Sequence, residues 1–151
     1  MSSMKIDPDP DIALVTRLLN DNGLPTEDLR GNHGVRFFAC SSPTGLHAVV
    51  GIQTCEDVAL LRSLAVDPAT RDRGMATALV KHAEAYAVQR GVNRLYLLTD
   101  TAETFFFRLG YRPLARIAAP QAVRNTSEFS SLCPDNAAFM HKSLSHDPEP
   151  S

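Results

Sequence analysis

The sequence predicts an α/β domain built on a mixed, mostly antiparallel sheet of about six to seven strands, with helices on both faces and one central parallel βαβ crossover. Three observations carry that expectation. Residues 58–66 are apolar on both alternating faces except at Arg62 and Ser63, as in a central strand covered on both sides. Met75, Leu79, Ala83 and Tyr86 then recur at helical spacing, and Gly91 follows as a C-terminal cap. A second apolar run, Leu95 to Leu98 within residues 93–99, comes directly after, so the helix supplies the crossover that two parallel strands require.

The remaining elements follow in chain order. Asp9, Pro10 and Asp11 read as an N-cap, a first-turn proline and an acidic first turn, ahead of Ile12, Val15, Leu18 and Leu19 on one helical face that ends at Asn22 and Gly23. A second short helix is expected at residues 25–29, then a glycine-flanked loop containing His33, then a strand at 35–40. Turns at 42–45 and at Glu56 and Asp57 separate β-rich runs 47–55 and 58–66, which makes an antiparallel meander. Thr101 is the expected N-cap of a helix ending at Leu109 and Gly110. Residues 111–116 and 137–144 read as strands, with a loop and short helix between them.

A length of 151 residues with 44% hydrophobic side chains suits one domain, here residues 1–144, followed by a polar tail at 145–151 expected to be disordered. A formal charge of −2 argues against coating nucleic acid. Cys40, Cys55 and Cys133 are too far apart for a zinc or redox motif and suggest a reducing, cytoplasmic setting. His33, His47, His82, His141 and His146 have no metal-binding spacing, so no metal is expected; neither is a membrane partner, since no apolar run reaches spanning length. The edge of the last strand is expected to be exposed, available for pairing with a second copy as a homodimer.

The segment Arg71, Asp72, Arg73, Gly74, Met75, Ala76 joins the central strand to the long helix. Glycine and a small residue at a helix start let backbone N–H groups approach an anion, and the helix dipole with two flanking arginines favours a pyrophosphate there. With Leu109, Gly110 and Tyr111 closing the next helix, the chain resembles the GNAT acetyltransferase superfamily, whose motifs are Arg/Gln-x-x-Gly-x-Gly/Ala and Leu-Gly-aromatic. Within it, Leu-Leu-Arg-Ser-Leu-Ala-Val at 60–66, Leu-Leu-Thr-Asp-Thr-Ala at 97–102 and Glu-Phe-Ser-Ser-Leu-Cys-Pro at 128–134 resemble the arsenic-resistance N-acetyltransferase branch.

The resemblance implies that acetyl-CoA is the co-substrate. Its pyrophosphate would lie on Arg71 to Ala76, its pantetheine arm along Leu64, Ala65 and Val66 where the strand at 58–66 splays from the strand at 93–99, and its thiol end beside the helix from Thr101 to Leu109. Thr101 stands where many relatives have asparagine; the Phe105-Phe106-Phe107 run is expected to be mostly core, with one ring, Phe105 on the cofactor side, a candidate to line the acetyl pocket. The implied reaction is direct attack of a primary amine of a small molecule on the thioester, for which the ammonium must first lose a proton.

The usual proton-transfer residues do not carry over. Phe106 occupies the position where many relatives have a tyrosine acid, and Leu60 a position where some have a glutamate base, so the resemblance assigns neither role here. Glu56 and Asp57 are candidates for relaying a proton, against the simpler reading of a solvated hairpin tip. Arg62 is the candidate for an acceptor carboxylate, against an internal ion pair with Glu56 or Asp57. His33, Phe106 and Cys133 complete the acceptor-side candidates, each with a bland alternative as loop, core or buried residue. A CoA-binding sensor without turnover and a protein or peptide acetyltransferase are the competing readings.

Overall fold

The computed structural model describes residues 5–24, 26, 35–43, 45–68, 74–99, 102–126, 129 and 137–144. The chain divides into two compact units, Met1–Gln53 with Ser63–Ala83, and Thr54–Arg62 with Glu84–Ser151. Seven strands form one sheet in the order β1-β2-β3-β4-β5-β7-β6. They are β1 (Ile6–Pro8), β2 (Val35–Ser42), β3 (Gly45–Cys55), β4 (Val58–Val66), β5 (Arg94–Thr99), β6 (Arg112–Pro113) and β7 (Ala138–Ser143). The β4–β5 pair is parallel, while β5 and β7 are antiparallel, as are β6 and β7.

In the first unit, α1 (Ile12–Asp21) lays Val15, Leu18 and Leu19 on Phe37 and Ala39 of β2, Val49 of β3 and Ala65 of β4. These side chains come from one stripe of the helix and one face of three strands, so a single apolar layer holds the elements together. The helix starts two residues later than expected: Asp11, not Asp9, is the N-cap, its carboxylate accepting from the Ala13 N–H at 2.9 Å. Asp9 is taken up by the strand before it. Its N–H donates to the Phe37 carbonyl at 2.9 Å and its carboxylate pairs with Arg36 at 2.9 Å. Strand β1 itself escaped the sequence reading because Ile6 is the one apolar residue in it.

The β2–β3 ladder slips by one residue between Cys40↔Ala48 and Ser41↔Leu46, leaving His47 as a bulge. Glu56 and Asp57 form the tight turn into β4, with Glu56 at φ 62°. The second short helix expected at 25–29, the loop with His33 and the tail at 145–151 lie outside the described residues, apart from Thr26.

In the second unit, α2 (Met75–Gln89) ends as the glycine cap predicts: the Val92 N–H returns to the Ala87 carbonyl at 3.0 Å and Gly91 adopts φ 83°. α3 (Glu103–Arg108) is shorter than expected. The β character expected for 111–116 is confined to Arg112 and Pro113, since Pro113 lacks an N–H and Arg116–Ala118 coils into a 3-10 turn before α4 (Gln121–Arg124). Leu60, Tyr96, Leu98 and Phe139 from the strands pack with Ala119 and Val123 into one layer. β7 is not an edge, because β5 and β6 pair with its two sides, so the expected route to a homodimer through its open edge is closed.

Candidate active site

Strand β4 carries the first part of the site. Its pairing with β5 runs from Val58↔Arg94 to Leu61↔Leu97 and stops there, while β4 continues to Val66 and β5 to Thr99. Ser63, two residues past the last pair, lies in the left-handed region at φ 57°. A non-glycine residue held there inside a strand is strained backbone of the kind that gathers at functional sites. Arg62 is only 3% exposed and is engaged within the fold; Ala65 is buried against α1, whereas Leu64 and Val66 are half-buried.

The second part is the start of α2. Gly74 is exposed at φ 76°, and a Cβ added to it would have nothing within 4 Å. The first helical bond runs from the Ala78 N–H to the Gly74 carbonyl at 3.1 Å, so the N–H groups of Met75, Ala76 and Thr77 precede the ladder and need partners from outside the helix. No acidic residue stands in that first turn. Open space at Gly74, beside N–H groups that the helix ladder does not use, suits an anion such as a pyrophosphate. Arg71, Asp72, Arg73 and Thr101 lie outside the described residues, as do His33 and Cys133.

The βα turn after β5 belongs to the second unit. The expected cap Thr101 lies outside the described residues; the N-cap position of α3 falls on Ala102, which makes no side-chain cap bond and whose own N–H donates to the Thr99 hydroxyl at 3.0 Å. Phe105 is half-buried, whereas Phe106 is 5% exposed and stacked edge-on between Phe105 and Tyr111, at centroid distances of 5.0 and 5.5 Å. Phe106 is thus a core ring. Glu56 and Asp57 sit exposed at the amino end of β4, the opposite end from Leu64 to Val66.

Two groupings had no signal in the sequence. Lys142 Nζ donates to Glu84 Oε2 at 3.0 Å and to the Leu109 carbonyl at 2.9 Å, and the Tyr111 hydroxyl donates to the same Glu84 oxygen at 2.9 Å. Burial, then the Glu84 charge, pushes the Tyr111 hydroxyl far up, so it stays a proton donor in this bond. The second grouping is a shallow, open surface cavity of about 420 Å³ lined by Arg116, Ile117, Arg124 and Phe129. Arg116 Nη2 donates to the Ala137 carbonyl at 2.8 Å, and Arg124 bonds the carbonyls of Ala119 and Ile117. Among the described residues no group of three or more histidine, cysteine or acidic side chains could hold a metal, and no helix is long and apolar enough to cross a membrane.

Comparison with known proteins bears on the family and the fold. Residues 9–111 match the acetyltransferase (GNAT) family. An uncharacterized N-acetyltransferase of Chlorobaculum tepidum is 38% identical over 66 residues, which cover 44% of this chain and 42% of that relative. N-acetylglutamate synthase from Neisseria gonorrhoeae, solved with coenzyme A and N-acetyl-glutamate, is similar in structure with a TM-score of 0.77 at 20% identity, over 96% of this chain and 36% of its own. The ribosomal-protein-S18-alanine N-acetyltransferase from Escherichia coli gives 0.73 at 19% identity over 99% of each chain. The chain therefore spans less than half the length of the first two of these proteins, and the structural likenesses establish the fold. On the match that covers residues 9–111, the chain belongs to the acetyltransferase (GNAT) family.

Proposed function

We propose that the protein is an acetyl-CoA-dependent N-acetyltransferase acting on the primary amine of a small, amino-acid-like molecule. The observation that carries the reading is the start of α2, where exposed Gly74 leaves open space in front of the N–H groups that the helix cannot satisfy itself. Arg71 and Arg73 precede it in sequence and supply positive charge to the same diphosphate. The extended backbone of Leu64 to Val66, beyond the last β4–β5 pair, suits the amide groups of a pantetheine arm. Thr101, Phe105 and the start of α3 complete the assignment on the thiol side.

Bound this way, acetyl-CoA supplies an activated acetyl group, and the protein has to orient an amine and manage its proton. The thiolate leaves without an acid in this scheme, since a thiol pKa of about 8.5 makes it a good leaving group. Arg62 is the arginine on β4 assigned to an anionic part of the acceptor. The finer assignment, an arsenic-containing glutamate analogue as a toxin to be acetylated, rests on the three sequence stretches at 60–66, 97–102 and 128–134.

The test is thiol release from acetyl-CoA over a panel of amino acids, simple amines, peptides and arsenic or phosphorus glutamate analogues, with acetyl-CoA affinity measured alongside. Turnover is expected with acidic amino-acid-like amines. Gly74→Trp is expected to lower acetyl-CoA affinity at least tenfold, because its side chain fills the space now open, with the circular dichroism spectrum retained. Unchanged affinity in that variant removes the pyrophosphate assignment.

A further inference from the structure

We propose that His141 is the base that takes the proton from the acceptor's ammonium, and that the neighbouring arginine-lined cavity holds a second anionic group of that acceptor, beyond the one assigned to Arg62. The proposal rests on the acetyltransferase reading and names the base that reading lacks.

The placement comes from strand register. Leu60 of β4 is opposite Tyr96 of β5, and Tyr96 is opposite His141 of β7, so the three form one row across the sheet. The next row, Leu61↔Leu97↔Met140, is the last in which β4 and β5 pair. His141 thus stands one row from the point where these parallel strands stop bonding. Its ring stacks on Tyr96 at 6.1 Å, and Tyr96 stacks on Phe139 at 5.6 Å. Phe139 in turn meets Phe129 edge-on at 5.3 Å, and Phe129 is a wall of the cavity that Arg116 and Arg124 line. Phe139 and His141 are alternate residues of one strand, roughly 7 Å apart along it. The cavity lies one ring beyond Phe139, so an acceptor whose second anionic group sits at the guanidinium groups while its amine meets the imidazole must be longer than that interval.

The chemistry of the described residues narrows the choice of base. Glu84 is bound by Lys142 and Tyr111. Glu56 and Asp57 are exposed at a turn, and His47 is bonded to the Ser42 hydroxyl at 2.6 Å in the β2–β3 hairpin. His141 is half-buried, and its Nδ1 is buried with no hydrogen-bond partner among the described residues. That leaves Nε2 as the ring nitrogen able to meet a ligand. For Nε2 to accept, the neutral ring carries its hydrogen on Nδ1, and burial of the ring keeps it in that neutral form. Burial, followed by the charge of Arg94, moves its pKa below the ordinary histidine value of 6.5. The charged and titratable groups described around it are Arg94 and Tyr96 on β5 and Arg112, its register partner on β6. Lys142, next in sequence, is held on the other side of the strand by Glu84.

The step balances without a further reactant. One ammonium proton moves to Nε2, the nitrogen lone pair forms the new C–N bond, and the C–S bond breaks with its electron pair going to sulfur. The second nitrogen proton goes to the departing thiolate, and the imidazolium returns its proton to solvent.

The experiment compares wild-type protein with His141→Gln in kcat/KM against pH for an acidic amino-acid-like acceptor, with acetyl-CoA affinity and thermal stability recorded for both. In the wild type, kcat/KM is expected to fall as pH drops through a pKa below 6.5, because protonation removes the base. The variant is expected to lose that limb and about 100-fold in kcat/KM near neutral pH, recovering at high pH where the acceptor deprotonates itself, with acetyl-CoA affinity unchanged. Removing the acceptor's second anionic group is expected to raise KM at least tenfold in the wild type. Wild-type turnover with the acid limb intact in the variant overturns the His141 assignment alone. Acetyl-CoA binding without turnover of any amine by the wild type overturns both readings.

Discussion

Ser63 shows how a single backbone angle shapes the site. By composition residues 58–66 are a strand, and β4 has the predicted bounds. The sequence did not reveal that Ser63 turns to φ 57° just beyond the last pair with β5, because serine carries no requirement for that region as glycine would. Valine, favoured in ordinary strands, is disfavoured here, since its branched Cβ crowds the backbone at positive φ. Ser63→Val is expected to destabilise the protein by about 1–3 kcal/mol, and Ser63→Gly to stay within about 1 kcal/mol of wild type, by urea unfolding. A stabilised valine variant would mean that the strand tolerates a regular conformation there. Gly74, by contrast, was legible, because its residue type and its place before the Met75 repeat both point to a close backbone approach.

Among elements, the Lys142–Glu84–Tyr111 cluster explains why the Leu109-Gly110-Tyr111 sequence closes α3. Gly110 leaves room for the lysine stem, whose Cε would be 3.3 Å from an added Cβ, and Lys142 then reaches the carbonyl of Leu109, the residue that caps α3. One ammonium and one carboxylate join α2, the end of α3 and β7. Lys142→Met is expected to cost about 1–3 kcal/mol, chiefly by leaving the Glu84 carboxylate partly buried without its cation. The same substitution on a Glu84→Gln background is expected to cost less, and equal costs in that double-mutant cycle would show that the charges do not interact. Residues 84 and 142 are too far apart for any local pattern to pair them. The misplaced cap of α1 has a local cause: Asp9 and Asp11 flank Pro10 alike, and only the neighbouring strand decides which of the two is used.

At the scale of the whole molecule, the apolar periodicities were enough to place the parallel pair and its crossover helix, because buried strands and an amphipathic helix announce themselves by composition. The two shortest strands, β1 and β6, were not legible, since each has too few residues to show an alternation. Ligand linkage gives the whole-molecule prediction. Acetyl-CoA at 100 times its Kd is expected to add about 2.7 kcal/mol and so raise Tm by about 5–10 °C for a chain of this length, by calorimetry. Gly74→Trp is expected to abolish the shift. A wild-type Tm indifferent to acetyl-CoA would mean that the folded protein has no site for it.

The sheet order also has a bearing on how the protein behaves in a crowded solution. Its long strands β3 and β4 are interior, and the two borders are β1, with three residues, and β6, with two, one of them Pro113. A border of that length offers an incoming strand only a few backbone partners, and the proline withholds one donor. The most β-prone segments of the chain are thereby kept from acting as templates for fibrous growth.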